Sequence, residues 1–133
     1  MRKSDCLFCG PSDNSVVLAN EHGYLCDDSY PVNKGHMLIV PHRHFDNYFD
    51  CTPAERESLW LLVEEGKRLL DSKYQPDGYN VGINVGPAAG QSIMHLHIHL
   101  IPRYLGDMEN PKGGVRGVIP EKQKYQSRTI PLK

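Results

Sequence analysis

Residues 93–102 read Ile93-Met94-His95-Leu96-His97-Ile98-His99-Leu100-Ile101-Pro102 and alternate histidine with apolar side chains. Successive side chains on a β-strand point to opposite faces of the sheet. The alternation therefore predicts a strand over residues 93–101, ended by Pro102, with the three histidines on one face. The other face is predicted to pack into the core and carries Met94, Leu96, Ile98 and Leu100.

Four further strands are predicted upstream of this stretch. Apolar runs at residues 16–19 and 24–26 flank the polar residues 20–23, a pattern typical of a β-hairpin. Residues 36–41 predict a buried strand stopped by a proline, and residues 79–85 alternate with a period of two. The short connections between these runs favour an antiparallel sheet.

One helix is predicted between the third and fourth strands. Thr52 is a suitable N-cap, Pro53 suits the first helical position, and Glu55 completes a capping box. The helix is predicted to end near Tyr74, before a proline and a glycine. Five apolar side chains fall on one face at helical spacing: Leu59, Leu62, Val63, Leu69 and Leu70.

These elements predict an α+β fold with an antiparallel, mainly five-stranded sheet and one long helix packed on it. The 133 residues fit a single domain, 1–133. Its core spans about residues 5–104. Residues 105–133 are rich in glycine, proline and lysine and predict an irregular C-terminal tail.

Charge and hydropathy exclude several classes of function. A formal net charge of -1 argues against a general nucleic-acid binder, which needs a basic face. No apolar stretch approaches the roughly 18 residues of a membrane span, and the N-terminus lacks the apolar region of a secretory signal. We therefore expect a cytoplasmic protein whose four cysteines are reduced.

Three histidines in register require a chemical explanation, because each must be paired or pay a desolvation cost. They either bind a catalytic metal together, or the central one is a nucleophile and its neighbours position phosphate and proton. The preceding stretch, Gly86-Pro87-Ala88-Ala89-Gly90-Gln91-Ser92, supplies backbone N–H groups, an amide and a hydroxyl, typical of a phosphate cradle. It lacks the carboxylate that often completes a hydrolytic metal centre. The sequence therefore favours His97 as a nucleophile.

Residues 90–103 resemble the signature of the histidine triad family of nucleotide hydrolases and transferases. Residues 31–41 are similar to an earlier strand motif of that family. With the N-terminal Cys-x-x-Cys, the resemblance covers roughly residues 5–104, and the triad segment is its most specific part.

The resemblance implies a reaction and a set of residues. His97 would attack the α-phosphorus of a dinucleoside polyphosphate or a nucleoside phosphoramidate and form a nucleotidyl-imidazole intermediate. His36 would complete the histidine cluster from the neighbouring strand. Asp28 would bind the ribose hydroxyls, although a solvated loop acid is an equal alternative. Four residues would surround the phosphate: Asn84, Gln91, Ser92 and His99.

Cys6 and Cys9 have the spacing of two structural-zinc ligands, with a redox motif as the competing interpretation. The resemblance implies that His44 and His95 complete the site, which makes the zinc structural. His42 is an alternative to His44.

Several alternatives stay open at this stage. A phosphorylase or nucleotidyl transferase would use the same nucleophile, a metal-dependent hydrolase would use the three histidines as ligands, and a nucleotide-sensing protein would bind without turnover. The resemblance also implies a homodimer, and Trp60 and Leu61 widen the apolar face of the helix in agreement with a partner surface.

Overall fold

The computed structural model describes residues 5–11 and 15–125. Five strands form one antiparallel sheet in the order β1-β2-β3-β5-β4, and the long helix α1 lies between β3 and β4 in the chain. The elements are β1 (Val16–Ala19), β2 (Gly23–Asp27), β3 (Met37–Pro41), α1 (Pro53–Tyr74), β4 (Gly78–Ile83) and β5 (Ile98–Arg103). The predicted fold class is confirmed.

The ends of α1 follow from local chemistry. The Thr52 hydroxyl accepts a hydrogen bond from the Glu55 N–H at 3.1 Å, and the Glu55 carboxylate accepts one from the Thr52 N–H at 2.9 Å. This reciprocal capping box satisfies two of the free N–H groups of the first turn. The helix ends where Gln75 adopts a left-handed conformation at φ 49°. The predicted start and end of the helix are both confirmed.

The core lies between α1 and one face of the sheet. Gly66 allows the closest approach, because a Cβ there would lie 2.8 Å from a methyl group of Leu100 and 3.2 Å from one of Leu25. The fully buried apolar side chains of this core are Leu25, Ile39, Leu59, Leu62, Leu96, Ile98 and Leu100. The helix therefore covers the central strands β2, β3 and β5 on this face, and the functional site lies on the opposite face of the sheet.

The opposite face has a smaller apolar cluster. Tyr24, Cys26, Leu38 and Val40 are buried there, and Phe8 of the N-terminal segment packs against them. The Tyr24 hydroxyl donates a hydrogen bond to the Phe8 carbonyl at 2.7 Å, which fastens the N-terminal segment to the sheet.

The last strand begins and ends later than predicted. Regular pairing in β5 starts at Ile98, so His95 and His97 precede the strand, in an extended segment whose Leu96 N–H donates to the Phe45 carbonyl at 2.7 Å. Pro102 lies inside β5, opposite Tyr79. Pairing with β3 stops at Leu100, so on that side the strand is an edge, where proline is tolerated.

Two predicted core residues are exposed. Met94 is 41% exposed because it precedes the regular strand, and Leu69 is 44% exposed on α1. Leu96, Ile98 and Leu100 are buried as predicted.

The part of the tail that the structure describes is irregular, as predicted, with short 3-10 turns at Gly114–Val118 and Pro120–Lys122. Residues 126–133 of the predicted tail lie outside the described residues. Within the described ranges, no helix has the length and apolar character needed to cross a bilayer.

Candidate active site and metal cluster

Seven of the chain's histidines and cysteines form two neighbouring clusters. We call Cys6, Cys9, His44 and His95 the cysteine cluster. We call His36, His97 and His99, with Asp28, the cavity cluster. The sequence separates these residues widely, and the fold brings each set together.

The ligand atoms of the cysteine cluster converge on a common point. The His95 Nδ1 atom lies 3.3 Å from the Cys6 sulfur and 3.2 Å from the Nδ1 of His44, which is 3.1 Å from the Cys9 sulfur. His95 is fully buried, and its Nε2 lies 2.8 Å from the Pro41 carbonyl oxygen. Because a carbonyl can only accept, Nε2 carries the proton and Nδ1 presents a lone pair to the sulfurs.

This donor set fits a tetrahedral metal ion. Two thiolates and two imidazoles form a structural zinc site, with bonds of about 2.3 Å to sulfur and about 2.0 Å to nitrogen. Such bonds place neighbouring ligand atoms about 3.3–3.8 Å apart, close to the spacing seen here. His42 is not part of the cluster, since it is exposed and hydrogen-bonds to the Asn20 carbonyl at 3.0 Å.

His97 has one ring nitrogen engaged and the other free for chemistry. Its Nδ1 lies 2.8 Å from the carbonyl oxygen of His95 and therefore donates to it. The proton thus sits on Nδ1, and Nε2 keeps its lone pair. The ring lines the cavity on this face of the sheet and packs against Phe8, with ring centroids 5.2 Å apart.

A chain of hydrogen bonds also fixes the tautomers of His36 and His99. The Val32 N–H donates to the Nδ1 of His36 at 3.0 Å, so His36 carries its proton on Nε2. That Nε2 donates to the Nδ1 of His99 at 3.0 Å, which leaves His99 with a proton on its own Nε2. His99 is therefore a hydrogen-bond donor toward the cavity that it lines.

Burial keeps this pair neutral. It lowers the pKa of His36, although the nearby Asp28 carboxylate acts in the opposite direction. Burial, followed by the neighbouring His97 and His36, lowers the pKa of His99 to about 4. Both rings are thus uncharged near neutral pH, in agreement with the tautomers that the hydrogen bonds require.

Asp28 touches both the loop and the cluster. One carboxylate oxygen accepts a hydrogen bond from the Tyr30 N–H at 2.8 Å, and the other lies 3.3 Å from the Nε2 of His36. The side chain is only 15% exposed and lines the cavity. This placement is unlike that of a freely solvated loop acid.

The cavity has a volume of about 460 Å³, within the range of small-molecule sites. Asn84 and Ser92, two of the predicted phosphate-binding residues, line it together with His97 and His99. Among the described residues, no lysine or arginine contributes to its wall. The polar groups that line the cavity are therefore neutral donors and the carboxylates of Asp27 and Asp28, at the end of β2.

Gln91 differs from its predicted place at the phosphate. Its side chain is buried, its oxygen accepts from the Gly86 N–H at 2.9 Å, and its amide donates to the carbonyls of Asp46 and Ile93 at 3.0 and 3.2 Å. Both amide hydrogens are thereby used inside the protein. Gln91 holds the turn around Gly86 and Gly90, both in the left-handed region, and does not line the cavity.

A single metal bound by His95, His97 and His99 does not fit this arrangement. Among the described residues, the possible metal-binding groups place His95 with the cysteines and His99 with Asp28 and His36. The second group is itself a poor metal site, because the Val32 N–H occupies the Nδ1 lone pair of His36 and leaves its Nε2 protonated.

Phe8 and Tyr24 are site residues that the sequence interpretation missed. Phe8 contacts the rings of His95 and His97, and Tyr24 holds its backbone. The position of Phe8 between the two cysteines is the signal that could have found it, because any residue of that loop must lie beside the histidine that the cysteines approach.

The protein is an α+β domain. It has a five-stranded antiparallel sheet with a helix on one face and, on the other face, a cavity lined by histidines of one sequence motif. The family model described as "HIT domain" matches residues 10–106, and the chain belongs to the HIT family, whose members are nucleotide hydrolases or transferases. The fold and the family predicted from the sequence are both confirmed.

Two relatives have named activities. An AP-4-A phosphorylase of Mycobacterium tuberculosis is 37% identical over 69% of this chain, which spans 48% of the phosphorylase. A bifunctional bis(5'-adenosyl)-triphosphatase/adenylylsulfatase of Arabidopsis thaliana is 29% identical over 88% of this chain and 64% of its own length. The chain thus spans about half to two thirds of these two relatives.

Two solved structures share the fold. A HIT family protein from Bacillus anthracis superposes with a TM-score of 0.72 at 33% identity, covering 78% of this chain and 77% of its own. A Zn-bound histidine triad family protein from Mycobacterium smegmatis has a TM-score of 0.70 at 27% identity, covering 80% of both chains.

Proposed function

We propose that this protein is a nucleotide hydrolase that attacks the α-phosphorus of its substrate with the Nε2 atom of His97. The observation that carries the proposal is the hydrogen bond from His97 Nδ1 to the His95 carbonyl at 2.8 Å. It fixes the tautomer in which Nε2 has a free lone pair on a ring that lines the cavity.

The reaction would proceed in two displacements. The Nε2–phosphorus bond forms while the bond from phosphorus to the leaving group breaks. A polyphosphate leaves as the anion, and the nitrogen of a phosphoramidate takes a proton from solvent and leaves as the amine. Throughout, Nδ1 keeps its proton and its bond to the carbonyl, so the intermediate is a cationic nucleotidyl-imidazole, which is reactive toward water. Water then attacks phosphorus and loses one proton to solvent, the Nε2–phosphorus bond breaks, and the mononucleotide and the neutral imidazole are regenerated.

Neutral donors would stabilise the charge that develops on the phosphate oxygens. The Nε2–H of His99 faces the cavity, and the side chains of Asn84 and Ser92 line the same wall. Donors held in place before the reaction are the usual source of such stabilisation. Asp28, at the far side of His36, would accept hydrogen bonds from the ribose hydroxyls.

The absence of lysine and arginine from the described wall of the cavity bears on the leaving group. A dinucleoside polyphosphate places several negative charges beside the attacked phosphorus, and the described lining residues offer these charges no lysine or arginine. A nucleoside phosphoramidate releases an amine. We therefore expect phosphoramidates to react faster than dinucleoside polyphosphates.

We propose further that Cys6, Cys9, His44 and His95 hold a structural zinc ion, in agreement with the donor set of the cluster. When bound, the ion would supply a cross-link between the N-terminal segment and the sheet, with four protein ligands and no open position. His95 would then be a ligand through its side chain and would orient His97 through its backbone.

A homodimer is the remaining proposal. Trp60, Leu61 and Leu69 are partly exposed on α1, where the sequence suggested a partner surface. Sedimentation of the full chain at micromolar concentration tests it, and a single monomeric species would contradict it.

The experiment compares His97→Gln with His42→Gln, a substitution at an exposed histidine outside both clusters. Each variant is assayed with adenosine 5'-phosphoramidate and diadenosine tetraphosphate. We expect His97→Gln to lower kcat by a factor of roughly 10⁴ or more, as for other nucleophiles, and His42→Gln to leave it unchanged. A His97→Gln enzyme within tenfold of wild type would contradict the proposal.

Adding inorganic phosphate to the same assays shows whether water or phosphate accepts the nucleotidyl group from His97. Release of AMP at the same rate with and without phosphate is expected for a hydrolase. Phosphate-dependent formation of ADP would instead make the protein a phosphorylase with the same nucleophile, as the name of the Mycobacterium tuberculosis relative suggests.

A further inference from the structure

Asp28 lines the cavity and contacts His36, the buried member of the pair His36 and His99. Its backbone N–H donates to the His36 carbonyl at 3.0 Å, which fixes the loop against β3. Its carboxylate lines the cavity on one side and approaches the Nε2 of His36 to 3.3 Å on the other. A ligand that touches this carboxylate therefore touches a group already in contact with the histidine pair.

One N–H group serves two acceptors at this point. The Nε2–H of His36 is hydrogen-bonded to the Nδ1 of His99 at 3.0 Å, and the Asp28 oxygen lies 3.3 Å from the same nitrogen. The other nitrogen of His36 already accepts from the Val32 N–H, so the ring has no second proton to offer. Asp28 and His99 consequently compete for a single donor.

We propose that Asp28 is a positioning residue that couples binding of the ribose hydroxyls to the hydrogen bond that His36 donates to His99. The inference rests on the proposed function, since it takes the cavity as the nucleotide site. It adds a role for the ribose in the chemical step, beyond affinity.

The direction of the coupling follows from the acceptors. A ribose hydroxyl that donates to the Asp28 carboxylate draws part of its charge away from His36. The His36 N–H then bonds more strongly to the Nδ1 of His99. Because linked hydrogen bonds polarise one another, the Nε2–H of His99 becomes a better donor to the phosphate oxygen. Binding energy from a remote part of the substrate is thereby used in the transition state.

Few other charges lie near enough to produce the same effect. Among the described residues that line the cavity, the other carboxylate is Asp27, which is exposed at the end of β2. His97 contacts the ring of His99, and Cys26 of β2 lies near Asp28. Lys73 and Tyr74 lie around a second cavity that Asp28 and His36 also line. Asp27→Asn is thus a matched control, since it removes the same charge from the neighbouring residue, whereas the contact with His36 belongs to Asp28.

The first test follows the imidazole protons directly. Full-chain, zinc-loaded protein with ¹⁵N-labelled histidine is saturated with adenosine or with 2',3'-dideoxyadenosine. We expect adenosine to move the Nε2–H proton signal of His36 downfield and dideoxyadenosine to leave it in place. Asp28→Asn keeps an oxygen for the Tyr30 N–H and should abolish the difference between the ligands. Asp27→Asn should preserve it.

The second test separates kcat from KM. The 5'-phosphoramidates of the same two nucleosides are compared as substrates. In the wild type, loss of the hydroxyls should lower kcat by at least ~5-fold, the lower end of typical coupling between sites. In Asp28→Asn the two kcat values should be nearly equal. A wild-type difference confined to KM would overturn the inference.

The outcomes distinguish this inference from the function on which it rests. If both nucleosides bind and the His36 proton responds to neither, the coupling is absent while the nucleotide site stands. If neither nucleoside binds at millimolar concentration, the proposed function fails and the coupling fails with it.

Discussion

The cysteine cluster and the cavity cluster use the same side chain for opposite purposes, and the difference lies in which ring nitrogen is bonded to a backbone carbonyl. His95 donates from Nε2 to the Pro41 carbonyl and turns Nδ1 toward the cysteines. His97 donates from Nδ1 to the His95 carbonyl and keeps Nε2 for the cavity. In the function that we propose, these backbone hydrogen bonds leave the Nδ1 of His95 for metal binding and the Nε2 of His97 for nucleophilic attack.

The two clusters are also joined through one residue. The side chain of His95 belongs to the cysteine cluster, and its carbonyl oxygen holds His97. Phe8, between the cysteines, packs on both rings. The cysteine cluster thus helps to hold His97 of the cavity cluster in place. The following predictions test whether the two clusters have these different roles.

The largest expected effect is a difference in the free energy of unfolding between variants of the two clusters. His95→Gln removes a proposed zinc ligand and leaves buried partners unsatisfied, so we expect the free energy of unfolding to fall by about 3 kcal/mol or more. His97→Gln, at a half-buried side chain facing the cavity, should change it by less than about 1 kcal/mol. Urea denaturation of the zinc-loaded proteins, with zinc content measured alongside, makes the comparison. Equal losses for the two variants would remove the distinction between the clusters.

A smaller effect concerns the dependence of stability on pH. His99 has a pKa of about 4 in the folded protein, against an ordinary value of 6.5, mainly because it is buried. Between these values the unfolded chain binds a proton that the folded protein does not, so stability falls as the pH is lowered from about 7 toward 4. The contribution is at most about 3 kcal/mol.

His99→Gln should lose this part of the pH dependence, because the amide does not titrate and can still accept from His36. Urea denaturation at several pH values between 4 and 7.5 measures it, as the difference between variant and wild type. Zinc release at low pH affects both proteins and cancels in that difference. Parallel curves for the two proteins would argue against a neutral, buried His99.

The smallest expected effect tests the contact between the clusters. Phe8→Ala removes the ring that packs on His97, an aromatic contact worth about 1 kcal/mol. We expect kcat to fall by about fivefold with little change in zinc content. Phe49→Ala, at an exposed phenylalanine that belongs to neither cluster and does not line the cavity, is the control. An unchanged kcat in Phe8→Ala would mean that the carbonyl of His95 orients His97 unaided.

Local patterns were sufficient to predict most of the fold. The capping box at Thr52 and Glu55 and the hairpin of β1 and β2 depend on neighbours in the chain, so the sequence reveals them. The start of β5 was missed because alternation is the same in an extended segment as in a paired strand. Only the hydrogen bonds of the folded sheet distinguish the two.

The sequence predicted which residues lie near the site better than it predicted which hydrogen bonds they form. Asn84 and Ser92 line the cavity, and the four predicted metal ligands lie together. Gln91 was assigned to the phosphate because its polarity suggested it, whereas its burial, which no local pattern encodes, commits it to backbone carbonyls. The contact between Asp28 and His36 likewise exists only in the folded chain.

The most direct test of the account is to locate the covalent intermediate. The enzyme is mixed with adenosine 5'-phosphoramidate in a single turnover, quenched in alkali, where a phosphorus–nitrogen bond survives, and digested for mass spectrometry. The account predicts a nucleotidyl group on His97, with none on His95 or His99 and none in His97→Gln. Turnover without any adduct, or an adduct on a different side chain, would contradict it.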